Sequence, residues 1–313
     1  MTASLIQDRP APHPIWRAGR IRYESALALP IEDRTLEHGL GLFETVRTWR
    51  GEPRLWARHR RRLLDSAQRL GLPLDPADLP SAADLIQLVH ACRSPQVSPQ
   101  ADAALRVNVS GGGDRPGSCL VWATLRQWLD PDPFGLSPHD QDAWMTRPGL
   151  ILDISAVSLG RVDPLARFKT LNYWTRRWVF EHRAPGSDEV IVADTDGLWL
   201  EASRSNLFWV RGQTLFTTAT DRPILPGVMR GLVLEVAGRL WKIEECAGLD
   251  PTTELACVDE LFLTNAARGL MPVAAILGRW RAPQGERPGP VASALAQAIR
   301  ESLSNQSING EID

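Results

Sequence analysis

Lysine is almost missing from this chain. Of its 35 basic residues only Lys169 and Lys242 are lysines, and the other 33 are arginines. Chemistry that needs a side-chain amine has two candidates, because a guanidinium stays protonated and cannot stand in for either. Cysteine is scarce too: Cys92, Cys119, Cys246 and Cys257 lie far apart with no CxxC or His-rich spacing. That pattern speaks against a metal site or a disulfide framework and suits a reducing compartment. No run of about 18 apolar residues occurs. Met1 to Pro14 is polar and proline-rich without an apolar stretch, so a soluble, cytoplasmic protein is expected. Neither sign of charge is in excess, 35 basic against 37 acidic residues for a net charge of -2. The chain as a whole therefore has no electrostatic reason to seek nucleic acid or an anionic membrane, and small molecules or a second copy are the expected partners.

What is present is enough chain for a large core. At about 150 residues per domain, 313 residues suggest two domains. The proline-rich stretch from Asp130 to Pro138 reads as a linker, giving residues 1–130 as a smaller N-terminal domain, 131–145 as the connection and 146–313 as a larger C-terminal domain. Prolines cluster again beyond Trp280, at Pro283, Pro288 and Pro290.

In the first part, strands are expected at Ile21–Leu29 and from Leu42 to Trp49. Helices are expected over Trp56–Leu70 and about Ala82–Ala91, and strands again over Leu105–Val109 and Leu120–Leu125. In the second part, a strand near Leu150–Ser155 precedes a helix from Trp174 to about His182. A strand Glu189–Ala193 then leads into a meander over Leu198–Leu200, Asn206–Val210 and Thr214–Thr217. A helix follows Pro226-Gly227 to about Leu240, and strands Glu260–Thr264 and Pro272–Ile276 close the sheet. The order lacks steady βαβ alternation, which argues against a Rossmann fold or a TIM barrel and for an α+β or mixed α/β arrangement.

Four elements could carry chemistry. Lys169 lies between Phe168 and Leu171 at the entry to a helix, where burial can keep an amine neutral for Schiff-base formation. Lys242 precedes Ile243, Glu244 and Glu245 and reads as a solvated partner of those carboxylates. Leu225 to Arg230 forms a loop that opens a helix, and its free N–H groups make a natural phosphate site; Pro-Gly merely starting a helix is the alternative. In the run His59 to Leu63 the arginines read as a solvated face or a nucleic-acid patch, yet Arg62 lies beside the inward stripe of Leu63, Ala67 and Leu70, where it could hold a phosphate bidentately. Glu201, between two strand segments, would keep a facing pyridine nitrogen protonated, or be an edge-strand charge.

Taken together, Lys169 to Asn172, Glu201 with Ser203 to Phe208, Leu225 to Arg230, and Gly41 to Arg47 with His59, Arg62 and Leu63 resemble the class IV aminotransferase family. Its members are fold-type-IV pyridoxal-phosphate enzymes: branched-chain aminotransferases, D-amino-acid aminotransferases and aminodeoxychorismate lyases. The resemblance runs from about Glu37 to Val273. It implies a D-amino-acid-aminotransferase-like fold, a small α+β domain followed by a larger one with a barrel-like mixed sheet, and a homodimer with its sites near the interface. It implies pyridoxal 5'-phosphate as cofactor and no metal. Lys169 would form the Schiff base and shuttle the proton, and Glu201 would face the pyridine nitrogen. Arg62 and the N–H groups of Val228 and Met229 would bind the phosphate, in a pocket closed by Asn265, Ala266 and Ala267. Tyr173 would approach the phenolic oxygen, or pack in the core.

Phe262 to Ala266, running on to Met271, Pro272 and Val273, resembles the lyases more than the branched-chain enzymes, where a Ser-Gly-Thr sequence is expected. The three-residue step from Lys169 to Asn172 also departs from the branched-chain pattern, and the D-amino-acid enzymes share it. Ser110-Gly111-Gly112 lacks the arginine that holds a substrate carboxylate in relatives, and His38-Gly39-Leu40-Gly41 lacks a common aspartate. Arg106, Arg34 and His38 are the substrate-binding candidates that remain. The leading expectation is a lyase converting 4-amino-4-deoxychorismate to 4-aminobenzoate and pyruvate. The alternatives are a transaminase of D-amino or branched-chain amino acids, and a non-catalytic binding protein on the same scaffold.

Overall fold

A two-residue turn sets the first strands. In the computed structural model, which describes residues 11–49, 51–98, 101–129 and 148–305, β1 (His13–Arg17) and β2 (Arg20–Glu24) pair antiparallel. Their connection is Ala18 and Gly19, with φ of 50° and 73°. Positive φ at both positions gives the type I′ geometry that matches strand twist. The strand expected at Ile21–Leu29 is corrected accordingly: extension ends at Glu24, and its partner is a strand that the hydrophobic pattern did not reveal.

The described residues divide into two compact units, the first reaching to Leu129 and including Thr170–Asn172, the second holding the other described residues. The expected linker at 131–145 lies outside the described residues. In the first unit follow α1 (Arg34–His38), β3 (Gly41–Arg47), α2 (Trp56–Arg69), α3 (Ala82–Cys92), β4 (Asp102–Ser110) and β5 (Val121–Leu129). The strands form an antiparallel sheet in the order β2-β1-β5-β4-β3. Leu42, Val46, Leu105, Val107 and Val109 are buried with Leu63 and Ala67 of α2 and Leu85, Leu88 and Val89 of α3. The helical spacing of Trp56, His59, Leu63 and Ala67 supplies that face of α2, and a Ser81–Asp84 capping box starts α3. Leu171 donates its N–H to the Gly41 carbonyl at 3.0 Å. A Cβ on Gly41, whose φ is 133°, would stand 2.6 Å from both Leu171 Cδ1 and the Val109 carbonyl oxygen. Glycine is therefore required where this segment crosses β3.

The second unit contains β6 (Leu150–Ile154), α4 (Trp174–Glu181), β7 (Glu189–Ala193), β8 (Trp199–Ala202), β9 (Asn206–Arg211) and β10 (Thr214–Thr218). Then come α5 (Val228–Ala237), β11 (Lys242–Cys246), β12 (Glu260–Asn265), β13 (Gly269–Ile276), β14 (Trp280–Arg281) and α6 (Pro290–Asn305). Strands β9-β12-β13-β6-β7-β8 run in sequence around a ring that closes where β8 meets β9, at the pair Glu201 and Asn206. The β13–β6 and β6–β7 pairings are parallel and the others in the ring antiparallel, which is the barrel-like mixed sheet expected. Phe208 and Phe262, paired across β9 and β12, stack with centroids 5.1 Å apart.

Three elements here were not foreseen, the two-residue β14 among them. β11 sets Ile243 among Lys242, Glu244 and Glu245 and, among the described residues, pairs along one side, parallel to β10, so its pattern reads as solvated chain. The prolines before α6 look like a break but are a helix start, with Pro290 in the first turn. Glu260 of β12 caps it by accepting the Val291 and Ala292 amides at 2.8 and 2.9 Å. α5 ends at Ala237, short of the expected Leu240. Trp209 is fully buried, whereas Trp174 and Trp178 are 74% and 54% exposed. Among the described residues no helix is long and apolar enough to cross a membrane, and no cluster of His, Cys, Asp or Glu could hold a metal ion.

Candidate active site

The seam of the ring is where polar groups accumulate. Glu201 is 2% exposed. Its Oε1 accepts from Arg176 Nη2 at 2.5 Å, its Oε2 from Asn206 Nδ2 at 3.2 Å, and both lie 3.3 Å from the Leu225 amide. Burial pushes this carboxyl above its ordinary range, while the positive charges of Arg176 and Lys169 pull against that shift. Arg176 comes from α4, three residues after Tyr173, so the two share one face of the chain as it enters the helix. Arg177, the next residue, faces outward and pairs with Glu181 at 3.0 Å.

Lys169 is half-buried, with its Nζ 5.9 Å from the centroid of the Tyr173 ring. Burial raises the Tyr173 phenol, opposed by Arg176 and Arg204 and reinforced by Glu201 and Glu189. Arg204 lies 3.5 Å over the Phe180 ring and 3.3 Å from Glu189, which also accepts from the Ser203 hydroxyl. Lys169, Tyr173, Arg176 and Glu201 thus form one neighbourhood. Lys242, the other lysine, is exposed and lies 3.7 Å from Glu244.

Asn206 links this cluster to the start of α5. Its Nδ2 also donates to the Leu225 carbonyl at 2.8 Å. Gly227, the N-cap of α5, carries no side-chain cap, and a Cβ there would stand 2.1 Å from Asn206 Oδ1. The Val228 and Met229 amides occupy the first turn, where N–H groups lack helical partners. Across β9 and β12, Asn206 opposes Thr264, so both project from the face that bears Glu201. Thr264 is 1% exposed, and its hydroxyl has no hydrogen-bond partner among the described residues. Asn265 donates to Ser205 Oγ at 2.9 Å and accepts the Ala267 and Arg268 amides at 3.1 and 2.7 Å, so its side chain shapes the turn around Ala266.

In the first unit Glu44, 1% exposed, meets two basic side chains. Arg62 donates through Nε and Nη2, each at 2.7 Å, and the His59 Nδ1–H at 2.8 Å. Against the cost of burial, Arg62 and then His59 hold this carboxyl well below the usual range. Arg106 lies 3.7 Å over the Phe43 ring and donates through Nε to Asn108 at 2.7 Å. Arg34 donates to the Gly112 and Gly113 carbonyls, both at 3.1 Å, and so ties the loop after β4. The imidazole of His38 is exposed, 3.8 Å from the Glu37 carboxylate. Arg34 and His38 thus have structural and surface contacts.

The sequence reading missed Arg176, Asn206 and Thr264. Arg176 could have been suspected from its three-residue spacing to Tyr173, but Arg177 beside it carries the same charge. Asn206 and Thr264 sit in strands whose pairing the sequence leaves open.

The second unit fits pyridoxal phosphate. A buried carboxylate held by Arg176 and Asn206 at the seam of the ring suits a protonated ring nitrogen. An uncapped helix start beside an unpartnered buried hydroxyl suits a phosphate. A half-buried lysine beside these groups suits a carbonyl carbon.

Comparison with known proteins agrees. The family described as amino-transferase class IV matches residues 41–276. Aminodeoxychorismate lyase of Bacillus subtilis is 25% identical over 301 residues, covering 93% of this chain and 95% of that one. The solved 4-amino-4-deoxychorismate lyase of Pseudomonas aeruginosa is 28% identical with a TM-score of 0.71, covering 92% of this chain and 99% of that one. A T.th. branched-chain amino acid aminotransferase, solved with pyridoxamine 5'-phosphate, shares the fold at 22% identity and a TM-score of 0.74, covering 96% of this chain and 97% of that one. The chain belongs to the class IV aminotransferases, fold-type-IV enzymes that work with pyridoxal 5'-phosphate.

Proposed function

We propose that the chain is a lyase converting 4-amino-4-deoxychorismate to 4-aminobenzoate and pyruvate, with Lys169 as its catalytic base. The observation that carries this reading is the Thr264-Asn265-Ala266 turn, where the Asn265 side chain bonds Ser205 and the Ala267 and Arg268 amides. That turn stands in place of the Ser-Gly-Thr of the branched-chain pattern, and the similarity to two lyases supports the same choice.

When bound, pyridoxal phosphate supplies an electron sink for the carbon that loses its proton. Lys169 would hold it, and the freed side-chain amine would take the proton from the substrate carbon that bears the amine. Glu201 is assigned to the ring nitrogen, Tyr173 to the phenolic oxygen, and Arg62 with the Val228 and Met229 amides to the phosphate. Loss of the proton and of the enolpyruvyl group, whose C–O bond keeps its electrons on oxygen, leaves an aromatic ring. The enol takes up a proton as pyruvate, so atoms balance with neither water nor a second substrate. Arg106, held against Phe43 by Asn108, is assigned to a substrate carboxylate. The homodimer implied by the resemblance would cover the exposed Trp174 and Trp178.

A transaminase would use the same Lys169 but needs an acceptor. Pyruvate and 4-aminobenzoate released with no keto acid present support the lyase. Amino transfer from alanine, glutamate or a D-amino acid to an acceptor, without that release, refutes it.

A further inference from the structure

We propose that Arg176 is a positioning residue of the reaction: its guanidinium holds the buried Glu201 carboxylate in the anionic form that the cofactor's ring nitrogen requires. This rests on the assignment of Glu201 to that nitrogen. The groups that face Glu201 are few. Arg176 and Tyr173 approach from α4 and the residue before it, Lys169 from the preceding segment, Asn206 from β9, and the Leu225 amide from the loop before α5. Asn206, the Leu225 amide and the Tyr173 phenol bring no positive charge. Among the described residues, Arg176 and Lys169 do.

These two cations are not equivalent. The Lys169 amine is consumed when it condenses with a carbonyl, and it must be neutral to act as a base. A guanidinium keeps its charge throughout. Arg176 therefore supplies, among the described residues, the positive charge next to Glu201 that persists through a turnover. A buried carboxylate deprived of such a partner takes up a proton. A neutral Glu201 cannot balance a protonated ring nitrogen, and the electron sink weakens. The contact is also local. Arg176 Nη1 lies 3.4 Å from the Ala202 carbonyl, so the guanidinium spans Glu201 and the next residue of β8, while Arg177 reaches solvent.

The test is a pH titration of the Glu201 side-chain carboxyl in the full chain carrying 13C-labelled glutamate, with and without cofactor. The signal is identified by its loss in Glu201→Gln. In the wild type Glu201 should be ionised at pH 7.5 in both forms. In Arg176→Gln its midpoint should rise by at least one pH unit, a tenfold gain in proton affinity, and kcat should fall toward low pH with the same midpoint while KM changes little. Arg176→Lys should restore most of the wild-type midpoint, and Arg177→Gln should leave it unmoved. An unchanged Glu201 midpoint in folded Arg176→Gln overturns the proposal. So does a protonated Glu201 at pH 7.5 in the wild type, which needs no variant to fold. The cofactor-free titration reads the Arg176–Glu201 pair even if Glu201 does not meet the ring nitrogen. Failure of that underlying assignment shows instead as cofactor affinity and spectrum unaltered in Glu201→Gln.

Discussion

Glu201 and Asn206 are the pair at which β8 and β9 close the six-stranded ring, and the side chain of the second donates to that of the first at 3.2 Å. The strand pairing that completes the barrel thus also brings the buried carboxylate to the loop before α5. Asn206→Ala removes a donor from Glu201 and from the Leu225 carbonyl together. Unsatisfied buried acceptors cost about 1–3 kcal/mol. Denaturant unfolding should show a loss of that order, with cofactor affinity reduced as well.

Two glycines of the α5 region should respond in opposite ways. At Gly227 an added Cβ would stand 2.1 Å from Asn206 Oδ1, so Gly227→Ala must displace that side chain. Cofactor titration should show affinity weakened by about tenfold or more, as expected for about 1.4 kcal/mol. At Gly231, inside the helix, nothing lies within 4 Å of an added Cβ. Gly231→Ala should stabilise the protein by up to about 1 kcal/mol and leave cofactor affinity alone.

Glu44 ties stability to pH. Its carboxyl is held far below the ordinary range by Arg62 and His59 in spite of burial, so the folded state binds its proton more weakly than the unfolded chain. That contribution is complete above the ordinary carboxylate range and is lost as pH falls toward the folded value. Glu44→Gln leaves Arg62 and His59 without their anion and should cost about 3–5 kcal/mol near neutral pH. The difference from wild type should shrink in acid. A stability gap that stays constant down to pH 3 contradicts this account.

The thiols should separate by reactivity. Burial pushes Cys92 and Cys119 up to about 11 and raises Cys246, whereas Cys257 is exposed. In the native protein at pH 8 a maleimide should modify one thiol quickly, and Cys257→Ser should abolish that phase. Fast loss of more than one thiol without unfolding contradicts the burial described.

Sequence made the chemistry legible where a residue type was rare or its neighbours distinctive. Lys169 stood out because lysine is almost absent, and Glu201 because small polar residues follow it between apolar strands. The α2 helix was legible from the roughly helical spacing of Trp56, Leu63, Ala67 and Leu70. The β1–β2 hairpin was not, since Ala18-Gly19 is a weak turn signal until both φ angles are known to be positive. β11 escaped because an edge strand with exposed side chains lacks the alternation that marks a half-buried one. Arg176 could not be told from Arg177. Adjacent helical residues point about 100° apart, and which of them meets β8 depends on how α4 lies within its unit. Of the substrate-binding candidates, Arg34 ties the loop after β4 and His38 faces solvent, placements that depend on packing the sequence does not reveal.

The central claim is that Lys169 carries the cofactor, and with only two lysines in the chain it can be tested at single-residue resolution. Borohydride reduction of the cofactor-loaded protein, followed by digestion and mass spectrometry, should place the phosphopyridoxyl group on the peptide containing Lys169, and Lys169→Ala should lose both that adduct and the visible absorbance. A reduced adduct on Lys242, or cofactor-loaded protein that yields no adduct on Lys169, would contradict the account.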